Sequence, residues 1–151
     1  MPETRATQSR RCRLAAGVVL ACYWASMFIA THWPHMHVPN YVQNTDKILH
    51  FTGNFGFGFL LAIWISTKRI FGRGEFAAAF GVIFVYAIVD EVTQIPVGRD
   101  CEFFDMVADW CGGLTGLLAF LLLRLVLRRL TRSRVIQVTV NAGIEGDVSR
   151  S

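Results

Sequence analysis

The stretch DEVTQIPVGRDCEFFDMVAD, residues 90–109, holds six carboxylates in a chain that is otherwise strongly apolar. The whole sequence has only 11 Asp and Glu residues, so more than half of them lie in this stretch. Long hydrophobic runs precede and follow it. Any fold for this chain must therefore explain why acids concentrate between segments that favour lipid.

The composition favours a membrane protein of one domain. Hydrophobic residues make up 53% of the 151 positions and charged residues only 17%, whereas a soluble domain has about 25% charged residues. The net charge of +4 does not indicate nucleic-acid binding, because the basic residues lie in the gaps between hydrophobic runs and not along one face. We therefore expect membrane lipid as a partner and no nucleic acid.

Four segments are apolar enough to be transmembrane helices, since a bilayer core requires about 20 residues in a helix. They cover roughly residues 14–30, 48–65, 76–94 and 104–127. The prediction is an all-α protein, a bundle of four transmembrane helices. A basic N-terminal segment (1–13) precedes the membrane domain (14–127), and a mobile basic and polar tail (128–151) follows it.

The distribution of basic residues predicts the orientation. Of the 15 Lys and Arg residues, 13 lie at the two termini or between the second and third segments, which leaves Lys47 and Arg99. The positive-inside rule then places both termini in the cytoplasm, in a multi-pass protein of the plasma membrane, with loops 31–47 and 95–103 outside. A cleaved signal peptide is the alternative for the N-terminus, but no A-x-A site follows its apolar run. The four cysteines are expected to be free thiols.

In this topology the unusual polar residues fall at one depth, on the outer side. They are Asp46, Lys47, His50 and Asn54 on the second helix, Asp90, Glu91 and Gln94 on the third, and Asp105 and Asp109 on the fourth. Many recur at intervals of four, which places them on shared helix faces. Gly112 and Gly116 continue the face of Asp109, and small residues there allow a neighbouring helix to approach closely.

These acids are expected to point into the bundle. A charge that faces lipid at mid-bilayer costs about 2.5 to 3.5 kcal/mol on insertion scales. The nearby cations are Lys47, Arg99 and, when protonated, His50. We expect Arg99 to pair with Asp105 or Glu91, and Lys47 to pair with Asp90.

The motifs DKILHF (46–51) and DEVTQIPVGRDCEFFDMVADWCGGLTG (90–116) resemble those of the VanZ-like family of small membrane proteins. That family has Asp-Lys-x-x-His, then Asp-Glu-x-x-Gln, an Arg, and Asp-x-x-x-Asn before a glycine-spaced helix. The resemblance covers about residues 14–127 and falls on these positions: Asp46, Lys47, His50, Asp90, Glu91, Gln94, Arg99, Asp105, Gly113 and Gly116. Asp109 stands where the family commonly has Asn, and Asn54 stands near a frequent aromatic. The family takes its name from a protein associated with teicoplanin resistance, so the resemblance implies a cell-envelope site and a link to glycopeptide antibiotics, but no particular reaction.

Several hypotheses about function follow. In the first, the site binds or modifies a lipid-linked envelope precursor or a glycopeptide. His50, Glu91 and Asp90 are then the candidate catalytic acids or bases, because imidazole exchanges a proton near neutral pH. The candidate substrate-binding residues are Asp46, Lys47, Gln94, Arg99, Asp105 and Asp109, and Gly112, Gly113 and Gly116 are assigned to helix packing.

Three other hypotheses stay open. The same acids with His50 could bind a metal, although their spacing matches no zinc motif, and His32, His35 and His37 form a second candidate cluster. Buried ion pairs could instead only hold the helices in register in a structural scaffold. A small ion or proton carrier is the third, and four helices would require a homo-oligomer for that role. The sequence leaves open whether the site is catalytic and which cofactor, if any, it uses.

Overall fold

The computed structural model describes residues 5–33, 45–98 and 101–148, and the side chains of 7–33, 45–98 and 101–132. Within these residues the secondary structure is entirely helical. The elements in chain order are α1 (Arg5–Thr31), α2 (Thr45–Ser66), α3 (Arg73–Gln94), a 3₁₀ helix (Ile95–Val97) and α4 (Phe103–Val148). The predicted all-α class with four main helices is confirmed.

All four α-helices are long and apolar enough to cross a membrane. The segments that meet this criterion are Thr7–Thr31, Thr45–Ser66, Arg73–Val97 and Phe103–Arg132. Large apolar side chains such as Val18, Val85 and Leu122 are mostly exposed, at 61%, 58% and 63%. Such an apolar exterior is unusual for a soluble monomer and suits lipid.

Contacts between side chains give the directions of the first three helices. Gly17 lies beside Trp64 and Gly53 beside Met27, so α1 and α2 run antiparallel. Phe57, in the middle of α2, packs against Tyr86 of α3. His50, near the start of α2, lies beside Glu91, near the end of α3. The helices α2 and α3 are therefore antiparallel as well, and α1 and α3 run in the same direction.

Glycines bring α2 and α4 into close contact. A Cβ atom on Gly112 would overlap the carbonyl oxygen of Phe51, and one on Gly116 would overlap that of Phe55. From the first pair to the second, the residue number increases by four on both helices. The helices α2 and α4 therefore run parallel. Because helices with backbones this close tolerate only small residues at the contact, the glycines fix the register in which α2 faces α4.

A tight turn connects α3 to the start of α4. The 3₁₀ helix Ile95–Val97 ends at Gly98, whose φ of 81° lies in the left-handed region that favours glycine. The Gly98 N–H donates to the Ile95 carbonyl at 3.1 Å. This turn reverses the chain at the same end of the bundle where α2 begins.

The chain divides into two compact units, Met1–Ala119 and Phe120–Ser151. The first contains α1, α2, α3 and the start of α4, and its apolar core includes Phe57, Leu61 and Ile83. The second contains the rest of α4, which continues as a helix to Val148 where the sequence predicts a mobile tail.

Candidate functional site

Buried polar side chains form one layer at the end of the first unit where α1 and α3 finish and α2 and α4 begin. Its members are each at most 5% exposed: His50, Asn54, Asp90, Glu91, Gln94, Asp105 and Asp109. We call this set the polar layer. Buried ionisable groups within a membrane-spanning bundle are costly, and they mark functional sites more often than they serve packing alone.

His50 lies between two carboxylates from different helices. Its Nδ1 is 3.0 Å from Asp109 Oδ1, and its Nε2 is 3.8 Å from Glu91 Oε1. The Nδ2 of Asn54 also donates to Asp109 Oδ1. His50 and Asn54 are four residues apart on α2, so both reach the same carboxylate on α4. The geometry joins α2, α3 and α4 through one imidazole ring.

Glu91 also fixes the beginning of α4. Its Oε2 accepts a hydrogen bond from the Glu102 backbone N–H at 3.1 Å. Glu102 immediately precedes the first helical residue, Phe103. Because N–H groups at a helix start lack partners within the helix, a carboxylate placed there is favourable. One carboxyl group therefore joins the end of α3 to the start of α4.

Lys47 pairs with carboxylates at the start of α4. Its Nζ is 3.0 Å from Glu102 Oε2 and 3.2 Å from Asp105 Oδ1. The pair expected between Lys47 and Asp90 is wrong, because α4 and not α3 supplies the carboxylates within reach. Asp105 is almost completely buried, so Lys47 compensates a charge that water does not reach.

Asp90 lies in a separate group of hydrogen bonds. Thr31 Oγ1 and Tyr86 Oη donate to its Oδ1 at 3.2 and 3.0 Å, and Gln94 Nε2 donates to its Oδ2 at 3.1 Å. His32 Nδ1 is 3.9 Å from the same carboxylate. Both Asp90 oxygens are thus satisfied by neutral donors, which explains how this acid remains buried without a lysine.

The polar layer lies on α2, α3 and α4, as the sequence predicted, but its contacts extend to α1. Thr31 and His32 bring in α1, and Tyr86 and Glu102 were also missed. Tyr86 precedes Asp90 by one helical turn, so its i, i+4 spacing could have identified it. The sequence places His32 only in a separate histidine cluster and singles out Thr31 in no way, since only the packing of α1 along α3 brings them to Asp90.

The remaining predicted residues are placed as follows. Asp46 is half-buried and, with His50 and Asp105, forms a group whose potential ligand atoms all lie within 4.8 Å of one another. Arg99, His35 and His37 lie outside the described residues. The pairing of Arg99 and the histidine cluster therefore stay predictions.

The VanZ/LLP1 family model matches residues 4–124, which include every member of the polar layer. The chain belongs to the VanZ/LLP1 family. The resemblance seen in the sequence motifs is thereby confirmed. No curated protein and no solved structure matches the chain. As a VanZ/LLP1 member with four membrane-crossing helices, it is a multi-pass membrane protein.

An apolar groove lies between α1 and α2 of this VanZ/LLP1 protein. Its volume is about 370 Å³, and its lining residues are Gly17, Leu20, Ala21, Trp24, Phe57, Leu61 and Trp64. Trp24 and Phe57 pack against the ring of Tyr86, with centroid distances of 6.2 and 5.4 Å. Since Tyr86 donates to Asp90, one end of the groove is a single side chain away from the polar layer.

The arrangement offers two kinds of chemistry in the VanZ/LLP1 layer. A histidine held by a carboxylate at Nδ1 presents Nε2 as a proton donor, a proton acceptor or a metal ligand. Carboxylate, amide and lysine side chains beside it can bind hydroxyl, amine or phosphate groups. The four described cysteines are exposed free thiols, so the reactive groups in the layer are imidazole and carboxyl.

Proposed function

We propose that this protein lies in the plasma membrane with both termini in the cytoplasm and presents the polar layer to the outside. There it binds or modifies a lipid-linked or cell-wall component of the envelope. The charge distribution supports the orientation, because 13 of the 15 basic residues then lie on the cytoplasmic side. The polar layer lies at the opposite end of α2, near Lys47.

One observation carries the choice of a lipid-linked ligand, namely that Trp24 and Phe57 of the apolar groove pack against Tyr86, which donates to Asp90. A hydrocarbon chain would lie in the groove among apolar side chains. Its head group would then reach the polar layer at the membrane boundary. Along the bundle axis the apolar groove is followed by the polar layer. A ligand with one apolar and one polar part matches this order.

The layer residues divide by what they can do to such a head group. Lys47, Asp46 and Asp105 lie at the first turns of α2 and α4 and would contact it first. Gln94 and Asp109 lie deeper and would orient its hydrogen-bonding groups. His50, Glu91 and Asp90 are the groups able to move protons if the head group is modified. Binding of such an envelope component would also fit a link to glycopeptide antibiotic resistance, which the family resemblance implies.

The groove can be tested separately from the layer. Leu20→Trp would fill the groove, whereas Val19→Trp adds the same ring at a neighbouring, 53% exposed position that does not line it. We expect mass spectrometry of co-purified lipids to find a lipid-linked envelope species with the wild type and with Val19→Trp. Its amount should be several-fold lower with Leu20→Trp. Equal lipid content in all three proteins would contradict the proposal and favour a structural scaffold.

A further inference from the structure

Several buried acceptor atoms around His50 have no hydrogen-bond donor among the described residues. They are Glu91 Oε1, Asp109 Oδ2 and Asn54 Oδ1, and a fourth such atom, Asp105 Oδ1, has an ion pair with Lys47 at 3.2 Å. The residues of the first three atoms are 0%, 0% and 2% exposed. A buried acceptor without a partner costs about 1 to 3 kcal/mol, and more when it is charged. Two of these atoms, on Glu91 and Asp109, are carboxylate oxygens, so a positively charged group that binds both would offset this cost.

The ligand geometry around His50 fits a metal ion. His50, Glu91 and Asp109 each offer an atom, and these atoms all lie within 4.8 Å of one another. His50 Nδ1 is bound to Asp109 Oδ1, while Nε2 faces Glu91 Oε1 at 3.8 Å. The oxygen of Glu91 that lacks a donor thus faces the imidazole ring that already contacts Asp109.

The charge of the layer favours the same conclusion. Asp90, Glu91, Asp105 and Asp109 are all buried, and Lys47 is already engaged with Asp105 and Glu102. A second group, formed by Asp46, His50 and Asp105, also has ligand geometry. Asp105 already has an ion pair with Lys47. The carboxylates that need a cation are therefore those of the group formed by His50, Glu91 and Asp109.

We propose that His50, Glu91 and Asp109 bind a divalent transition-metal ion such as Zn²⁺ or Mn²⁺. One imidazole and two carboxylates form a mixed nitrogen and oxygen donor set that suits these ions. The ion would offset the negative charge of the layer and provide an electrophilic centre that binds anionic oxygens, such as those of a phosphate. The metal site goes beyond the proposed envelope role and does not depend on it.

The test measures metal binding by the full-length protein in detergent. After treatment with a chelator, the protein is titrated with Zn²⁺ and Mn²⁺ and analysed by elemental mass spectrometry and thermal unfolding. We expect about one ion per chain and a rise in Tm for the wild type. Glu91→Gln and Asp109→Asn should weaken binding at least tenfold, since even outer-shell changes reduce metal affinity about 10 to 100-fold. Glu102→Gln is the matched control, because it removes a neighbouring carboxylate that is 53% exposed and belongs to neither ligand group.

Two results would overturn the metal site. One is a wild-type protein that binds neither ion and shows no rise in Tm. The other is wild-type affinity in both Glu91→Gln and Asp109→Asn. If these variants do not fold, X-ray absorption of the Zn²⁺-loaded wild type decides the question. One imidazole nitrogen with oxygen ligands supports the site, whereas sulfur ligands would place the ion on the exposed cysteines and contradict it.

Discussion

His50 and Asp109, 59 residues apart in the sequence, are joined by a 3.0 Å contact between Nδ1 and Oδ1 in the interior of the bundle. The two residues are 5% and 0% exposed. Asn54 donates to the same carboxylate oxygen, so Asp109 is the point where α2 and α4 are linked by polar side chains. The VanZ-like pattern commonly has Asn at this position, and that difference makes its chemistry testable.

Substitution of Asp109 should separate its hydrogen bonds from its charge. Asp109→Asn keeps an acceptor oxygen for His50 and Asn54 and supplies an amide that can donate to a neighbouring buried acceptor. We therefore expect its stability in detergent, without added metal, to equal or exceed that of the wild type. Asp109→Leu leaves His50 and Asn54 without their partner and should lose about 2 to 3 kcal/mol. Thermal unfolding of both variants measures the difference, and equal losses would contradict these roles.

The two partners of Lys47 should differ in importance. Glu102 has a 53% exposed side chain, whereas that of Asp105 is 4% exposed. Glu102→Gln should therefore change the free energy of unfolding by less than about 1 kcal/mol. Lys47→Met leaves Asp105 buried without compensation, and we expect a loss of about 2 kcal/mol because Lys47 itself is partly exposed. The double variant Lys47→Met/Asp105→Leu should recover most of this loss. A double variant that is as unstable as Lys47→Met would show that the pair is not the cause.

Glycine substitutions should distinguish close packing from helix propensity. Gly112→Ala would place a Cβ atom against the Phe51 carbonyl oxygen, whereas a Cβ atom at Gly81 of α3 meets nothing within 4 Å. We expect Gly112→Ala to destabilise the protein by about 1 to 3 kcal/mol. Gly81→Ala should be neutral or stabilising by up to about 1 kcal/mol. Thermal unfolding in detergent compares them, and a tolerated Gly112→Ala would contradict the close contact of α2 with α4.

The proposed orientation predicts which cysteine reacts from outside the cell. Cys101 is exposed and lies between the spans Arg73–Val97 and Phe103–Arg132. A maleimide that does not cross membranes should label Cys101 in intact cells, and Cys101→Ser should abolish this labelling. A cysteine introduced by Lys68→Cys should react only after the cells are permeabilised, in a background that carries both Cys12→Ser and Cys101→Ser because Cys12 is exposed and expected on the same side. The reverse pattern would place both termini outside.

Helix positions could be predicted from the sequence because each span needs a long apolar run and little else. The segment of residues 48–65, for example, became α2 from Thr45 to Ser66. The depth of the polar residues followed from the same runs, since Asp90 and Asp105 flank a turn that can lie only at a membrane boundary. Residues predicted to share a helix face because they are four apart also share that face in the structure, as His50 and Asn54 do.

Partners on different helices could not be predicted in the same way. The sequence places Lys47 at the same depth as several acids of the layer, and only the parallel packing of α2 against α4 decides that it meets Asp105. That packing depends on Gly112 and Gly116 facing the α2 backbone. The contact of α1 with Asp90 could likewise not be predicted, because the sequence groups His32 with His35 and His37 and gives no reason to connect Thr31 with Asp90.

If the polar layer binds the head group of a lipid-linked envelope component, as we propose, His50 is the residue whose substitution tests it. The direct measurement is quantitative mass spectrometry of lipids that co-purify with the wild type and with His50→Gln, which keeps a polar side chain of similar size. We predict a polyprenyl-linked or related glycolipid enriched on the wild type and lost from His50→Gln, at equal helix content by circular dichroism. The same lipids in the same amounts on both folded proteins would contradict the claim.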